Sequence, residues 1–427
     1  MSATTAAGTG GAAPAARPAA PAPAPVAVTG LGLVTAAGIG TEATWDGVCA
    51  GVSAAARNPA LDGLPVDISC TVPGLDPARH VGRRSVLMHD RFTQLAIVAA
   101  REAVADAGLD PRRWDGARVG VVVGCGLGGV STWEEQHRRM LEGGPGKVSA
   151  LLVPMLVPNM AAGNLAIDLG ATGPNFVTAT ACSSGATAIG TAAQLLREDA
   201  CDIVVAGGAE AGISPLMVTG FAQMGALSRR LDEPAAASRP FDAGRDGFVI
   251  GEGSGILVLE READARARGA RVRSLLAGYG ASADAHHLTA PEPEGRAVLA
   301  AVRAALRQAD AAPGDIAHVN AHGTSTRLND AVEAATLRRA LGDGAAVTSA
   351  KGVLGHTLGA AGAIEAALTV LAVERSLVPP TANLVQLDPD VELDVVAGSP
   401  RKTSIDAALS TSFGFGGQNA ALVFTAA

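Results

Sequence analysis

The residue best suited to act as a nucleophile is Cys182, in the segment TATACSSGATAIG. An apolar, strand-like run changes here to a helical pattern, which places the thiol at the first turn of a helix. Unpaired backbone N–H groups and the helix dipole favour a negative charge at that position. A thiol placed there can have its pKa lowered from about 8.5 toward the range of reactive thiolates. Taken alone, burial in the core is the more ordinary role of a cysteine among small residues.

Two histidines and a lysine in later segments could act together with this thiol. His322 ends the apolar run of VNAHGTSTRLND, and His356 follows the rare Lys351 by five positions in SAKGVLGHTLGAAG. Each histidine alone could simply cap a strand or satisfy a buried carbonyl group. Together, a thiolate that accepts an acyl group, two imidazoles that hydrogen-bond a carbonyl oxygen and an ammonium group suit a carbon–carbon bond-forming acyl transfer. The glycine-rich turn in STSFGFGGQNA could complete an oxyanion hole.

Two other motifs suggest different chemistry, and both are weaker. Gly124, Gly126 and Gly129 have the G-x-G-x-x-G spacing of dinucleotide-binding loops. The acidic residue expected about 20 positions later is missing, so we disfavour a dinucleotide. The acidic stretch FDAGRDGFVIGEGSG could supply metal ligands, but a turn rich in Gly and Asp is the simpler interpretation. Its carboxylates are Asp242, Asp246 and Glu252.

The elements that must position these residues alternate along the chain. From Val26 onward, short β-branched runs end in glycine and lead into Ala-, Leu- and Arg-rich helical patterns, which is typical of a layered α/β fold. The same rhythm restarts near Ala270, which suggests an internal duplication. We expect an N-terminal half over 26–270 with the nucleophile and a C-terminal half over 271–427 with the histidines. The Ala/Pro/Gly-rich residues 1–25 are expected to form a disordered tail.

Composition restricts the classes of partner and environment. The 427-residue chain has a net charge of −8 and only 17% charged residues, which argues against binding to nucleic acid. Its hydrophobic content of 48% indicates buried sheets or a large subunit interface. No apolar run reaches the ~18–20 residues that a membrane span needs. The five cysteines are odd in number and have no CxxC spacing, so we expect a reducing, cytoplasmic setting and no zinc site.

Six separated motifs occur in the order typical of one family: TACSSG, GGAEAGISPL, SRPFDAGRDGFVIGEGSG, NAHGTST, KGVLGHTLGAAG and SFGFGG. From about Val26 to its C-terminus the chain resembles the elongating β-ketoacyl-acyl carrier protein synthases of the thiolase-like superfamily. These include ketosynthase II of fatty acid synthesis and the type II polyketide ketosynthases. The resemblance implies a duplicated five-layer αβαβα sandwich that functions as a dimer without a metal or redox cofactor. It also favours a nucleophilic role for Cys182 over packing.

The resemblance implies a role for each matching residue. Cys182 would receive the acyl chain from a carrier protein, while His322 and His356 would bind the malonyl thioester carbonyl and stabilise the enolate formed on decarboxylation. Lys351 would orient and support the His356 region. The backbone amides of Cys182 and Phe413 would form the oxyanion hole, with the Phe413 side chain gating the acyl pocket. Further matches are two acidic residues near the site, Asp330 and Glu365, and Leu127, which would limit pocket depth.

Other relatives differ from this chain at the same positions. By the resemblance, priming ketosynthases have Asn in place of His356, thiolases use a second cysteine near the C-terminus, and chain-length factors lack the nucleophile. Departures from the family pattern occur at five loop positions and favour a specialised, polyketide-type substrate over housekeeping fatty acid synthesis. These positions are Arg327, where the family usually has Pro, together with His286, Gly352, Leu354 and Gln418.

The partner that the resemblance implies is an acyl carrier protein. Carrier proteins are acidic and so is this chain, so docking needs a local basic patch. The candidates are Arg83, Arg84, Arg91 and Lys147, although each could be ordinary solvated surface charge. A homodimer and a heterodimer with a chain-length-factor-like subunit remain open, as does a non-condensing acyltransferase or scaffold homologue. The presence of both histidines and the lysine argues against a scaffold.

Overall fold

The chain alternates strands and helices, as the sequence predicts. The computed structural model describes residues 25–427, and the predicted tail lies outside them apart from Pro25. The strands are β1 (Val26–Thr35), β2 (Gly38–Ile39), β3 (Ala56–Arg57), β4 (Ile68–Ser69), β5 (Val119–Gly124), β6 (Asn175–Thr178), β7 (Ile203–Ala211), β8 (Glu252–Arg261), β9 (Ser274–Ala283), β10 (Ile316–Asn320), β11 (Ala346–Thr348), β12 (Leu377–Val378), β13 (Asp394–Val395), β14 (Arg401–Lys402), β15 (Ala407–Gly414) and β16 (Gln418–Thr425). The helices are α1 (Thr41–Ala50), α2 (Pro77–Val81), α3 (Arg83–Met88), α4 (Arg91–Asp106), α5 (Val130–Gly143), α6 (Leu152–Leu156), α7 (Met160–Leu169), α8 (Ser184–Arg197), α9 (Pro215–Gln223), α10 (Glu262–Ala267), α11 (Arg296–Gln308), α12 (Arg327–Leu341), α13 (Lys351–Leu354) and α14 (Ala361–Arg375). None of these described helices is long and apolar enough to cross a membrane.

Twelve strands join one mixed sheet with an internal repeat. Its order is β13-β11-β10-β15-β16-β9-β1-β8-β7-β5-β6, with β2 paired to β1. The five main strands of each half can be numbered 1 to 5 along the chain. In this numbering, β6-β5-β7-β8-β1 of the first half and β11-β10-β15-β16-β9 of the second both have the order 3-2-4-5-1. Strand β1 joins the halves, since it pairs with β8 along its length and with β9 through Val26–Val28. The predicted boundary at residue 270 falls between α10 and β9, and we propose it as the division between the halves.

Helices form three layers around the two halves of the sheet. Helices α4 and α7 pack on the outer face of the first half, and α11 and α12 cover the outer face of the second. Helices α8 and α14 lie between the halves and contact strands of both. Both faces of the central strands are therefore buried, which explains their uninterrupted apolar sequences. The arrangement is the predicted five-layer αβαβα sandwich.

Close contact between the two central helices requires glycine. A Cβ on Gly185 of α8 would lie 2.7 Å from the backbone nitrogen of Ala363 in α14. A Cβ on Gly362 would likewise lie 2.9 Å from the backbone nitrogen of Ala186. The small residues after Cys182 therefore allow the close approach of α8 and α14. This packing brings the start of α8 close to the segment that contains His356.

Candidate active site

Cys182 lies in a sharp turn between a strand and a central helix. Strand β6 ends at Thr178, a 3-10 turn covers Ala181–Ser183, and α8 follows directly. Ala181 adopts a left-handed conformation with φ of 49°, which a non-glycine residue rarely does. The Ser184 hydroxyl holds this turn because it donates a hydrogen bond to the Ala181 carbonyl at 2.6 Å. The thiol is therefore fixed at the start of a helix, as the sequence predicts.

The protonation state of this thiol differs from the prediction. Burial raises the pKa of Cys182 to about 11, although the Lys351 ammonium and a hydrogen bond from the Phe415 backbone N–H act in the opposite direction. The expected lowering of the thiol pKa is therefore wrong, because only 8% of Cys182 is exposed and desolvation outweighs the favourable electrostatics. The resting Cys182 side chain is therefore a neutral thiol, and the predicted nucleophilic role would require it to transfer its proton on attack.

The backbone N–H of Phe415 contacts the Cys182 thiol. It donates the hydrogen bond to the sulfur described above, and the assignment of an oxyanion-hole amide to Phe413 stays a prediction. Gly414, between them, permits the approach, since a Cβ there would lie 2.4 Å from the Thr180 carbonyl oxygen and 3.2 Å from the Cys182 nitrogen. The Phe413 ring instead packs edge-on against His322, with ring centroids 5.5 Å apart.

His322 follows β10 and is held by a buried carboxylate that the sequence analysis missed. The backbone N–H groups of His322 and Gly323 donate hydrogen bonds to Glu333 at 2.8 and 2.7 Å, and the Thr411 hydroxyl donates another at 2.9 Å. Burial raises the pKa of Glu333 to about 7. Glu333 lies one helical turn after Asp330 in α12. This i, i+3 spacing of two carboxylates just after the HGTST motif is the sequence feature that could have pointed to Glu333.

His356 faces His322 across the site. The two rings meet edge-on at a centroid distance of 5.4 Å, and Phe248 packs against the other side of His356 at 5.2 Å. Burial and the Lys351 charge hold the pKa of both histidines well below 6.5, so both imidazoles are neutral near pH 7. Among the described residues, Nδ1 of His356 is buried and has no hydrogen-bond partner. The pair can therefore contact substrate as neutral groups.

Lys351 supports His322 by direct contact, whereas the resemblance implies a supporting role for it in the His356 region. Its Nζ donates to the His322 carbonyl oxygen at 2.6 Å, lies 3.4 Å from His322 Nδ1 and forms a buried ion pair with Glu365. An ammonium group only donates, so Nδ1 of His322 accepts and the ring proton resides on Nε2. Lys351 thus selects the His322 tautomer that donates from Nε2. Burial raises the pKa of Glu365 to about 7 despite this ion pair.

One cavity of about 370 Å³ connects the reactive groups. Cys182, His322, His356 and Phe413 all line it. The structure therefore brings together the predicted nucleophile, from the first half, and both histidines, from the second. This convergence is the geometry that an acyl transfer between two bound substrates requires.

Leu127 lies behind the cavity and does not line it. A Cβ on Gly212 would be 2.9 Å from both Leu127 and Leu358, and Leu358 does line the cavity. The buried carboxylate of Glu210 fixes the Leu127 loop, since it accepts hydrogen bonds from the Gly126 and Leu127 amides at 2.7 and 3.2 Å. These amides are therefore occupied, which further disfavours a dinucleotide in this glycine-rich loop.

Asp330 stabilises the loop around His322 from a distance. It is fully buried, accepts a hydrogen bond from the Phe241 N–H at 2.9 Å and pairs with Arg245 at 3.5 Å. Glu365 contacts Lys351, as described above, but Asp330 contacts neither histidine. The two acidic residues that the resemblance singled out therefore have different environments.

The three carboxylates of the acidic segment FDAGRDGFVIGEGSG all have hydrogen-bond partners within the protein. Asp242 accepts from the Gly244 N–H at 2.7 Å, and Asp246 accepts from the Ser228 hydroxyl at 2.6 Å. Glu252 binds the Arg91 guanidinium through both oxygens. Within residues 25–427, no group of three or more His, Cys, Asp or Glu side chains could hold a metal ion. The turn interpretation agrees with these contacts.

Three of the four predicted docking residues are available at the surface. Arg83 and Arg84 are exposed in α3, and Lys147 is exposed after α5. Arg91 already has a partner, because it forms a bidentate ion pair at 2.5–2.6 Å with Glu252, although its side chain is 36% exposed. This pairing makes Arg91 a weaker docking candidate, and the docking role of all four residues stays a prediction. The partner of Arg91 lies 161 positions away in the sequence and could not be inferred from the local segment.

Comparisons with known proteins agree with this geometry. Residues 24–265 match the family model of the β-ketoacyl synthase N-terminal domain, and residues 273–385 match that of the C-terminal domain. The 3-oxoacyl-[acyl-carrier-protein] synthase 2 of Synechocystis sp. is 43% identical over 93% of this chain and 97% of its own. The enzyme of the same name from Staphylococcus aureus is 42% identical with the same coverage.

Solved structures of β-ketoacyl synthases have the same fold as this chain. A β-ketoacyl synthase from Burkholderia phymatum superposes with a TM-score of 0.89 at 34% identity, over 95% of this chain and all of its own. A chain of AntDE:AntF, a type II polyketide synthase acyl carrier protein in complex with its ketosynthase, has a TM-score of 0.89 at 33% identity with the same coverage. The chain therefore belongs to the β-ketoacyl synthase family of enzymes.

Proposed function

We propose that this enzyme joins an acyl chain held on Cys182 to a malonyl group on an acyl carrier protein, with loss of carbon dioxide. The product is a 3-oxoacyl-carrier protein two carbons longer than the starting chain. The observation that carries the proposal is the convergence of Cys182, His322 and His356 on one cavity. Its membership of the β-ketoacyl synthase family supports the same reaction class.

The first half-reaction transfers the acyl chain to the enzyme. The Cys182 sulfur attacks the thioester carbonyl, a new S–C bond forms, and the carrier's S–C bond breaks. Because the resting group is a neutral thiol, its proton passes to the departing carrier thiolate, and a neutral imidazole in the same cavity can relay it. The Phe415 N–H, which points at the sulfur, and the Cys182 N–H are the proposed oxyanion donors.

The second half-reaction forms the carbon–carbon bond. The malonyl carboxylate leaves as carbon dioxide, and its electron pair forms an enolate on the thioester. The Nε2–H of His322, fixed by Lys351, and the ring of His356 donate hydrogen bonds to the enolate oxygen. The enolate carbon then attacks the acyl-Cys182 carbonyl, and the cysteine leaves and takes up one proton. Burial assists because it keeps both imidazoles neutral and strengthens their hydrogen bonds.

For the substrate, we favour a polyketide-type chain over housekeeping fatty acid synthesis. Support comes from the loop departures, of which Arg327 lies on the cavity wall. The relatives include both 3-oxoacyl-carrier protein synthases and a ketosynthase bound to a hexaketide. A homologue without condensing activity is the less favoured alternative, since the cavity contains the complete Cys-His-His set.

For the assembly, we propose a dimer through the β6 edge of the sheet. Strand β6 pairs on one side only with β5 among the described strands, and its Phe176 is 36% exposed. Ile167 in the neighbouring α7 is 77% exposed. An unpaired edge flanked by exposed apolar side chains is suited to association. The second subunit is either a copy of this chain or a chain-length-factor-like protein, since solved relatives include ketosynthase–chain length factor complexes.

Intact mass spectrometry tests the proposed function directly. The purified enzyme is mixed with acyl-carrier protein and malonyl-carrier protein, and the masses of enzyme and carrier are followed. We expect acylated enzyme and an extended carrier-bound chain, both lost in Cys182→Ala. His322→Ala and His356→Ala should retain acylation and lose extension. Acylation without extension by the wild-type chain would indicate the need for a partner subunit, and absence of acylation would refute the proposal.

A further inference from the structure

The outer end of the active-site cavity is formed by the start of α12 and the residues before it. Thr324, Thr326, Arg327 and Leu328 all line the cavity. Thr324 is only 6% exposed, whereas Leu328 is 66% exposed, so the cavity opens to the surface along this segment. Cys182 and His322, 8% and 2% exposed, line the buried part of the same cavity. A substrate that enters here passes the α12 segment before it reaches the thiol.

The guanidinium group of Arg327 is available to a ligand. Its Nε donates a hydrogen bond to the Arg245 carbonyl oxygen at 3.3 Å, and within residues 25–427 the group makes no other hydrogen bond and no ion pair. The Nε contact orients the side chain and leaves the two Nη groups free. The neighbouring residues that line the cavity, Thr326, Leu328 and Asn329, carry no charge. Arg327 therefore supplies the positive charge of this part of the lining.

The acidic residues closest to this opening already have partners. Asp246 also lines the cavity, but its carboxylate accepts hydrogen bonds from the Ser228 hydroxyl at 2.6 Å and the Arg229 N–H at 3.0 Å. Asp388 forms an ion pair with the buried guanidinium of Arg245. Neither carboxylate forms an ion pair with Arg327, although Asp388 is close enough for the Arg327 charge to help lower its pKa.

Polar groups along the cavity follow the order of groups along a phosphopantetheine arm. The Cys182 thiol and the Thr324 hydroxyl line its buried part, the half-buried Thr326 hydroxyl lies 2.9 Å from that of Thr324, and the exposed Arg327 lies at the opening. A phosphopantetheine thioester has its reactive carbonyl at one end, amide groups in the middle and a phosphate at the other end. From this match we infer that Arg327 binds the phosphate of the carrier-bound phosphopantetheine arm. Guanidinium suits this role because its two Nη groups can bind phosphate oxygens in a bidentate manner.

This inference rests on the proposed function, because a carrier-bound thioester brings that phosphate to the opening. The test compares two small substrates with the same acyl group, acyl-phosphopantetheine and acyl-pantetheine, which differ only in the phosphate. The rate of Cys182 acylation is measured by intact mass spectrometry. For wild-type enzyme we expect kcat/KM to be about ten-fold higher with the phosphorylated compound, the effect of one charge-assisted contact. Salt should reduce this preference.

Three variants separate phosphate binding from a structural role. Arg327→Gln should reduce the preference to about one-fold because acylation by acyl-phosphopantetheine falls more than acylation by acyl-pantetheine, and Arg327→Lys should retain part of the preference. Arg303→Gln is the matched control, since Arg303 is an exposed arginine on α11 outside the cavity lining and its loss should leave the preference intact. Equal use of both compounds by the wild type, or an unchanged preference in Arg327→Gln, would overturn the inference.

Two further comparisons separate failure of the Arg327 assignment from failure of the proposed function. They also show whether the phosphopantetheine arm belongs to a carrier protein or to coenzyme A. If neither compound acylates the folded enzyme and acyl-carrier protein also fails, the proposed function itself fails. Coenzyme A contains the same arm, so acyl-carrier protein and acyl-coenzyme A are compared in parallel. A lower kcat/KM of Arg327→Gln with acyl-carrier protein supports the assignment. An effect confined to acyl-coenzyme A would overturn it.

Discussion

Replacement of Glu333 by Gln tests whether the buried carboxylate positions His322. All four groups that contact Glu333 are donors: the N–H groups of His322 and Gly323, the Thr411 hydroxyl and, at 3.4 Å, the Asn329 amide. A glutamine presents one oxygen and one NH₂ group, so at least one buried backbone N–H loses its hydrogen bond to residue 333. For the His322 N–H, only the longer contact to the Thr411 hydroxyl at 3.2 Å then remains. Such a loss costs about 1–3 kcal/mol. Denaturant unfolding of wild type and variant measures this difference.

The same substitution should separate the two half-reactions. Cys182 makes no contact with Glu333, so acylation should stay within a few-fold of wild type. Condensation should fall by roughly 100-fold, because the His322 backbone loses its fixed position and a displacement of ~1 Å can have that effect. Thr411→Val removes one donor to Glu333 and the 3.2 Å hydrogen bond from the His322 N–H to the hydroxyl, but it leaves both backbone contacts to Glu333, so it should lower condensation much less. Equal stability and an unchanged condensation rate in Glu333→Gln would refute the positioning role.

The stability difference should also depend on pH in a defined direction. Folding raises the pKa of Glu333 from 4.5 to about 7 through burial, so between these values the folded state binds more protons than the unfolded state. The contribution of Glu333 to stability therefore falls as pH rises from about 4.5 to 7, by about 3 kcal/mol in total. Glu333→Gln lacks this titration, so its deficit relative to wild type should shrink over that window. A deficit that grows with pH would contradict the sign.

Two other predictions concern substrate access. Reversal of charge in Arg83→Glu/Arg84→Glu should raise KM for carrier-bound substrates and leave small thioester substrates unaffected; equal effects on both would remove the docking role of this exposed pair. Gly212→Val should slow acylation by long chains and spare short ones, because its Cβ would crowd Leu127 and Leu358 at 2.9 Å behind the cavity. A competition assay with acyl chains of different length measures this effect, and an unchanged chain-length profile would contradict it.

The sequence by itself determined the fold class and the identity of the reactive groups. Apolar runs that end in glycine predict buried strands followed by helices, because that pattern depends on burial of both strand faces and on local backbone conformation. The segments around Cys182, His322 and His356 also indicated an acyl transfer, since the residue types limit the chemistry they can perform. The repeated rhythm along the chain corresponds to the 3-2-4-5-1 strand order found in both halves.

The tertiary structure alone decided how these groups are tuned and paired. It showed that Lys351 contacts His322, that the Phe415 amide reaches the sulfur, and that Arg91 is bound to a distant glutamate. These outcomes depend on which donors and acceptors meet across the core, which local sequence does not encode. The direction of the Cys182 pKa shift is the clearest case. Local sequence predicts the favourable helix terminus, but desolvation depends on everything that packs around the thiol, and in this protein desolvation is the larger effect.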